Sequence, residues 1–419
     1  MGEIFPCEPC NSKKDLMYKN SNNPYNRHYL STLSQSQDNN NSQILDQTPN
    51  NNLQEENGSN LLRNSEHISI HVNNPSDEKN SNIIPSNKIS SLKQSNIKNS
   101  INNAEAITLG GDNPVSVKVS QIIKNNSSIN SSYINYKCVK TFQCHNDTIV
   151  CLIELLSGYL ATGSYDTTIK IWDLNKVDPI NSIQVNGRVF CLLEFMQGIL
   201  LCGTDNNEIE MWDINESKNT KLFTFQGHLL WVNCLTKCNI NYFASGSNDS
   251  DIRIWNYSEK TPYNVLSEHE EGVLTLITLK DGKLCSGSAD LKIKIWDWEN
   301  GKCIANLEGH SRWVKCVFQL LNGYIVSGSD DKNIKVWDNN RCIETLSGHK
   351  KSVRIICQIS DNLIASGSFD KTIKIWDINN RNCIQTLDEH ESNVICLLLH
   401  SSGYLISASN DRVIKMWKN

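Results

Sequence analysis

Seven tryptophans, Trp172, Trp212, Trp255, Trp296, Trp337, Trp376 and Trp417, follow one another at intervals of 40, 43, 41, 41, 39 and 41 residues. A period near 40 constrains this chain more than any other property. It implies one supersecondary unit stacked on copies of itself, each burying a face that it cannot bury alone. The wording around each Trp repeats as well. "GSYDTTIKIWD" at 163–173 returns as "GSADLKIKIWD" at 287–297, "GSDDKNIKVWD" at 328–338 and "GSFDKTIKIWD" at 367–377. Each unit carries four strand-like runs, clearest in "KCIANLEG", "WVKCVFQL", "YIVSGS" and "NIKVWD" between 302 and 338. Asn322-Gly323 divides two of them, as do Ser157-Gly158, Gln197-Gly198, Asp281-Gly282 and Ser402-Gly403 in sister units. Such pairs accept the positive φ of a two-residue hairpin turn, so the runs are expected to pair as antiparallel strands.

The repeats begin near Tyr136. Residues 1–135 are dominated by Asn and Ser, as in "SQDNNNSQILDQTPNNNLQEENGSN", and hold no Trp. A segment so poor in apolar side chains cannot offset an ordering cost of about 1–2 kcal/mol per residue, which predicts a disordered low-complexity tail. Gly2, Cys7 and Cys10 do not assemble an acylation signal, because Pro6 stands where Ser or Thr is required. Asn-x-Ser triplets in the tail follow from its composition.

The 419 residues carry a net charge of −5, with no basic domain that would favour nucleic acid. No apolar run reaches the roughly 18–20 residues that cross a bilayer, and the N-terminus lacks a secretory apolar core. These features predict a soluble cytoplasmic protein, not secreted, with the nucleus left open. Of 16 cysteines, Cys151, Cys191, Cys234, Cys316 and Cys396 recur at one repeat position, and Cys138, Cys303, Cys342 and Cys383 at another. That periodicity predicts small buried side chains rather than disulfides or metal ligands. Cys7 and Cys10 form a lone CxxC without a partner pair for zinc. No metal and no cofactor is expected.

Six repeats place a His 21 residues before an Asp: His145 and Asp166, His228 and Asp249, His269 and Asp290, His310 and Asp331, His349 and Asp370, His390 and Asp411. A Ser or Thr precedes each following Trp by ten residues, at Thr162, Ser245, Ser286, Ser327, Ser366 and Ser407. Ser, His and Asp at fixed offsets raise the question of a hydrolytic triad. One catalytic copy would suffice, whereas six copies are what six similar sheets need as fasteners. The expected arrangement is a buried chain in which Asp orients His, His meets the hydroxyl, and the hydroxyl accepts the Trp indole N–H. No catalytic residue, enzymatic activity or small-molecule substrate is expected.

"GH" at Gly227-His228, Gly309-His310 and Gly348-His349, the "SGSxD" turn and the terminal Trp-Asp resemble the WD-repeat family over about residues 136–419. The resemblance implies an all-β, seven-bladed propeller of four-stranded blades around a central channel. It makes Trp172, Trp255, Trp296, Trp337, Trp376 and Trp417 blade staples, each worth roughly 4–6 kcal/mol gross at about 25 cal/mol/Å². It also implies that "YKCVKTFQ" at 136–143, which matches the outer strands, completes the last blade, whose own run ends after its third strand. Repeat two departs from the pattern, with Val185, Cys202 and Asn206 in place of His, Ser and Asp. A mostly apolar staple is expected there.

By the same resemblance, partners meet the face that carries the loops from outer to inner strands and the channel mouth. One set of positions lies three residues after the His: Thr148, Arg188, Trp231, Gly272, Trp313, Ser352 and Asn393. The other precedes the turn Asp: Tyr165, Asp205, Asn248, Ala289, Asp330, Phe369 and Asn410. Lys315 and Arg354 are expected to border the channel. The candidate partner-binding residues are therefore Trp231, Trp313, Tyr165, Phe369, Arg188, Lys315, Arg354, Asp205 and Asp330, types enriched in binding hot spots. Trp298, in "DWENGK", is expected to be exposed. The function expected is an interaction scaffold for a protein or peptide partner, within a complex and without direct nucleic-acid contact. Alternatives are a substrate receptor of a ubiquitin ligase, although no Trp-Asp-x-Arg is present, and a histone-tail reader.

Overall fold

The computed structural model describes residues 114–125, 134–215 and 219–419. From residue 137 onward they form seven four-stranded antiparallel sheets, the blades of one propeller. Blade five runs Val314–Gln319, Ile325–Ser329, Asn333–Asp338 and Arg341–Ser347, from innermost to outermost strand. The alternation of these sequences explains the layering. Val314, Cys316, Val326, Ile334, Val336 and Leu346 are buried, while Arg341, Ile343 and Thr345 on the outer strand face solvent.

Structural blades are offset from the sequence repeat by one strand. "KCIANL", the opening run of repeat five, is the outer strand of blade four, with Ile293 opposite Leu307 and Trp296 opposite Cys303. The offset carries through to closure. Lys137–Gln143 pairs antiparallel with Val413–Lys418, placing Cys138 opposite Trp417 and Phe142 opposite Ile414. The first strand thus fills the outer position of blade seven, and no blade is left with a bare third strand.

Neighbouring blades are stitched at the end of the hairpin turns, called here the bottom face. The last inner-strand side chain of one blade accepts an N–H from the previous blade's turn. Glu194 takes that of Leu156, Gln319 that of Lys280, Gln358 that of Leu321, and Glu154 that of Ser401 across the closing seam. Gly158 and Gly323 turn with φ of 83° and 94°, as the hairpin expectation requires.

Pro114–Asn125 is an α-helix inside the stretch expected to be disordered. Its Val119, Ile122 and Ile123 sit three and four residues apart on one face and pack on a cluster containing Tyr136, Ile359 and Leu363. The remainder of the expected tail up to residue 113, with Cys7 and Cys10, lies outside the described residues.

Trp298 corrects another expectation. Its ring is 5% exposed, lies 5.5 Å from that of Tyr242, and its indole N–H donates to the Gly282 carbonyl at 3.0 Å. It closes the bottom of the seam between blades three and four. The cysteines divide as well. Cys151, Cys191, Cys234 and Cys316 of the inner strands are packed against Gly163, Gly203, Gly246 and Gly328 of the second strand, Cys396 lies opposite Ala408, and burial pushes Cys234, Cys316 and Cys396 up to about 12. Cys342 and Cys383 are exposed on outer strands, against the buried expectation. Cys342 stands opposite Trp337 and Cys383 opposite Trp376, each beside a bulge in the ladder to the outer strand.

Candidate functional site

The six His–Asp pairs form one repeated geometry. Each His Nδ1 lies 2.6–2.9 Å from the Asp Oδ2. Each Nε2 lies 2.7–2.8 Å from the Ser or Thr Oγ, which accepts the Trp Nε1–H at 2.8–2.9 Å. One proton arrangement satisfies every atom: Trp donates to the hydroxyl, the hydroxyl to Nε2, and Nδ1–H to the carboxylate. All six hydroxyl-bearing residues are 0% exposed, so none meets a substrate. The carboxylate also accepts the N–H of the residue after the His and that of the residue two beyond itself, as Asp331 does from Ser311 and Asn333. Burial would raise these carboxyls, but the His hydrogen bond together with the backbone N–H bonds outweighs it and holds all six below the ordinary aspartate range.

The network's other product is the top face. Each Asp turn folds back so that the residue before the Asp donates its N–H to the carbonyl of the residue three after the His. The bonds are Tyr165 to Thr148, Asp205 to Arg188, Asn248 to Trp231, Ala289 to Gly272, Asp330 to Trp313, Phe369 to Ser352 and Asn410 to Asn393, at 2.9–3.3 Å. The two position sets read from the sequence are thus joined by a backbone hydrogen bond in every blade.

Three rings form a run over blades one to three. Tyr165 and Phe190 have centroids 5.3 Å apart, and Phe190 and Trp231 5.2 Å apart. Phe190 was not among the sequence candidates. It sits two residues beyond Arg188, the offset that singled out Lys315 and Arg354, so the same rule applied to blade two would have found it. Arg188 lies over Tyr165 at 5.4 Å and is partnered by Asp205, whose carboxylate accepts the Arg188 backbone N–H at 2.8 Å. Phe369 packs on the cluster containing Ile395 and Cys396.

Blades five and six supply a cationic arc. Lys315 Nζ is 4.3 Å from the Trp313 ring centroid and 3.6 Å from Asp330, which also accepts a hydrogen bond from Ser352. Burial pushes Lys315 down to about 8, against the pull of Asp330. Arg354 donates to the Lys315 carbonyl at 3.1 Å. Burial raises Cys151, Cys234, Cys316 and Cys396, on four different blades, and the Arg354 charge opposes it in all four.

Blade two holds a further correction. Val185 and Cys202 are buried as expected, but the staple is not apolar. Glu210, fully buried, accepts the Trp212 indole N–H at 3.1 Å and the Lys221 ammonium at 2.5 Å.

The chain matches the family model described as "WD domain, G-beta repeat" at residues 136–173, 219–256, 260–297, 301–338, 340–377 and 381–418. The divergent second repeat is the stretch those matches skip. Among curated proteins it is 28% identical over 131 residues to Mitochondrial division protein 1 of Schizosaccharomyces pombe, covering 31% of this chain and 14% of that protein. It is 44% identical over 45 residues to "Probable E3 ubiquitin ligase complex SCF subunit sconB" of Talaromyces marneffei, covering 11% and 7%. To the protein so named in Emericella nidulans it is 57% identical over 35 residues, covering 8% and 5%. The chain therefore spans a small fraction of each relative. Among the described residues, no helix is long and apolar enough to cross a membrane.

Proposed function

The chain belongs to the WD-repeat family, and we propose from that premise that its propeller is a protein-interaction scaffold whose top-face channel mouth holds a peptide or protein partner. One observation carries the reading, the aromatic run Tyr165–Phe190–Trp231 at the rim of the channel. Tyr165 and Trp231 are half-buried on either side of buried Phe190, and rings packed at a tilt against each other are already ordered, so a partner loses little side-chain entropy by covering the outer two. Trp313, backed by the Lys315 ammonium, offers a second such surface on the far arc.

A role as a ubiquitin-ligase substrate receptor is a special case of this reading. It is favoured by the names of two relatives and set against the small share of each that is matched. A reader of basic tails is less favoured, because Asp205 is partnered by Arg188 and Asp330 by Lys315 and Ser352.

Affinity capture from native extract with the full chain, beside Trp231→Ala and Trp313→Ala of matched melting temperature, tests the proposal. A discrete set of proteins lost from both variants supports it. Recovery unchanged in both places the activity away from the mouth.

A further inference from the structure

The top face is not uniform in charge. In blade four, Glu268, Glu270 and Glu271 crowd the loop before the inner strand, with Lys292 drawn to Glu270 at 3.0 Å. In blade seven, Asp388, Glu389 and Glu391 occupy the equivalent loop. Between them the sign reverses. Blade five exposes Arg312 and Lys332, and blade six exposes Lys350, Lys351 and Lys371. Among the described residues none of these five side chains has an ion pair. Of the carboxylates around them, Asp331 and Asp370 are engaged by His310 and His349 and Asp330 by Ser352 and Lys315, while exposed Glu308 lies on the blade-four side, within the field of Lys292. In a chain of net charge −5, a cationic sector two blades wide is contrary to the average composition. It is also continuous with the mouth, where Trp313, Lys315 and Arg354 border the channel.

We infer that the top of blades five and six docks an acidic, carboxylate-rich segment of a protein partner, led over Trp313 toward the channel. The inference rests on the top-face reading above and adds the chemistry of what binds there. The low-dielectric walls of the mouth strengthen attraction to an anion, and the exposed lysines steer its approach. The acidic loops on either side limit the length of anion that fits. A duplex carries one charge per roughly 1.7 Å of axis and would run onto Glu270 or Glu391. An anionic membrane, being flat, would meet the whole face, acidic loops included. A short acidic peptide meets the basic sector alone.

The test measures binding of the full chain to a fluorescent twelve-residue Asp/Glu peptide containing one Leu, by anisotropy across a salt series. Charge reversal at exposed sites, Lys350→Glu with Lys351→Glu, is compared with Lys302→Glu on an outer strand. The expected result is binding that weakens with salt, falls about tenfold or more in the double variant, and is unchanged by Lys302→Glu. Binding insensitive to the double reversal overturns the inference. So does tighter binding of duplex DNA or phosphatidylserine vesicles than of the peptide, or a self-associated form that the reversal dissociates. A partner set lost in Trp231→Ala but retained in the double variant would sink this inference alone. A set retained in both would sink the top-face reading with it.

Discussion

Glu210 accepts the indole N–H of Trp212 at 3.1 Å, doing in blade two what a serine hydroxyl does in the corresponding place of five other blades. In those blades the Glu210 position is basic, as at Lys294, Lys335 and Lys374. Blade two reverses that charge and answers it from the outer strand with Lys221. Lys221→Met leaves the buried carboxylate without its cation. A loss of about 2 kcal/mol is expected, below the value for a fully buried pair because the lysine is 36% exposed. Urea denaturation of the variant checks this, and an unchanged midpoint would show that Glu210 needs no counter-charge.

Closure of the ring by Lys137–Gln143 makes a second prediction. A chain beginning at residue 146 leaves Ile414 and Trp417 without the strand that covers them. It is expected to melt well below residues 130–419, or to aggregate through the bare edge. Identical two-state melts of the two chains would remove the closing strand from the stability of the ring.

Acid should weaken the blade fasteners together. A carboxyl held below its ordinary value contributes stability that is complete above about pH 4 and is lost as pH falls toward the folded-state value. All six network aspartates are lowered, so the melting temperature should respond steeply below about pH 4. Asp331→Asn should cost about 2–3 kcal/mol at pH 6 and flatten the acid limb. An equally steep limb in that variant would assign acid sensitivity elsewhere.

Lys315 predicts a slope of the same sign in alkali. Folded, it releases its proton near 8; unfolded, near 10.4, so the unfolded chain binds more protons in between and stability rises with pH there. Relative to Lys315→Met, the natural chain should gain about 2–3 kcal/mol between pH 8 and 10.5. Parallel pH profiles would contradict burial of this ammonium.

Leu291 stands at φ 73° in the turn after Asp290, with its side chain 37% exposed. Left-handed backbone costs a leucine about 1 kcal/mol more than asparagine. Leu291→Asn should therefore stabilise blade four by about 0.5–1 kcal/mol, read from the melting curve.

The parts legible in the sequence are those that recur. The period of the tryptophans, the His–Asp spacing and the Gly turns each repeat often enough for coincidence to drop out, and closure follows from a strand without a partner. What escaped was singular. Glu210 announces itself only as a departure from a basic position. Trp298 looked like a turn residue because nothing local shows Tyr242 waiting across the seam. The helix Pro114–Asn125 has only three packed apolar side chains in view, within an Asn-rich stretch that hides their spacing. For the top face, the sequence offered two sets of positions, while the pairing of Arg188 with Asp205 and of Lys315 with Asp330 needed three dimensions.

The most direct measurement is hydrogen–deuterium exchange of the free chain against the chain in complex with its captured partner. The amides of Tyr165, Asn248 and Asp330, whose hydrogen bonds to Thr148, Trp231 and Trp313 close the top-face turns, should exchange more slowly in the complex, and those of the Gly158 and Gly282 turns on the bottom should not change. Protection confined to the bottom turns or the outer strands would contradict binding at the channel mouth.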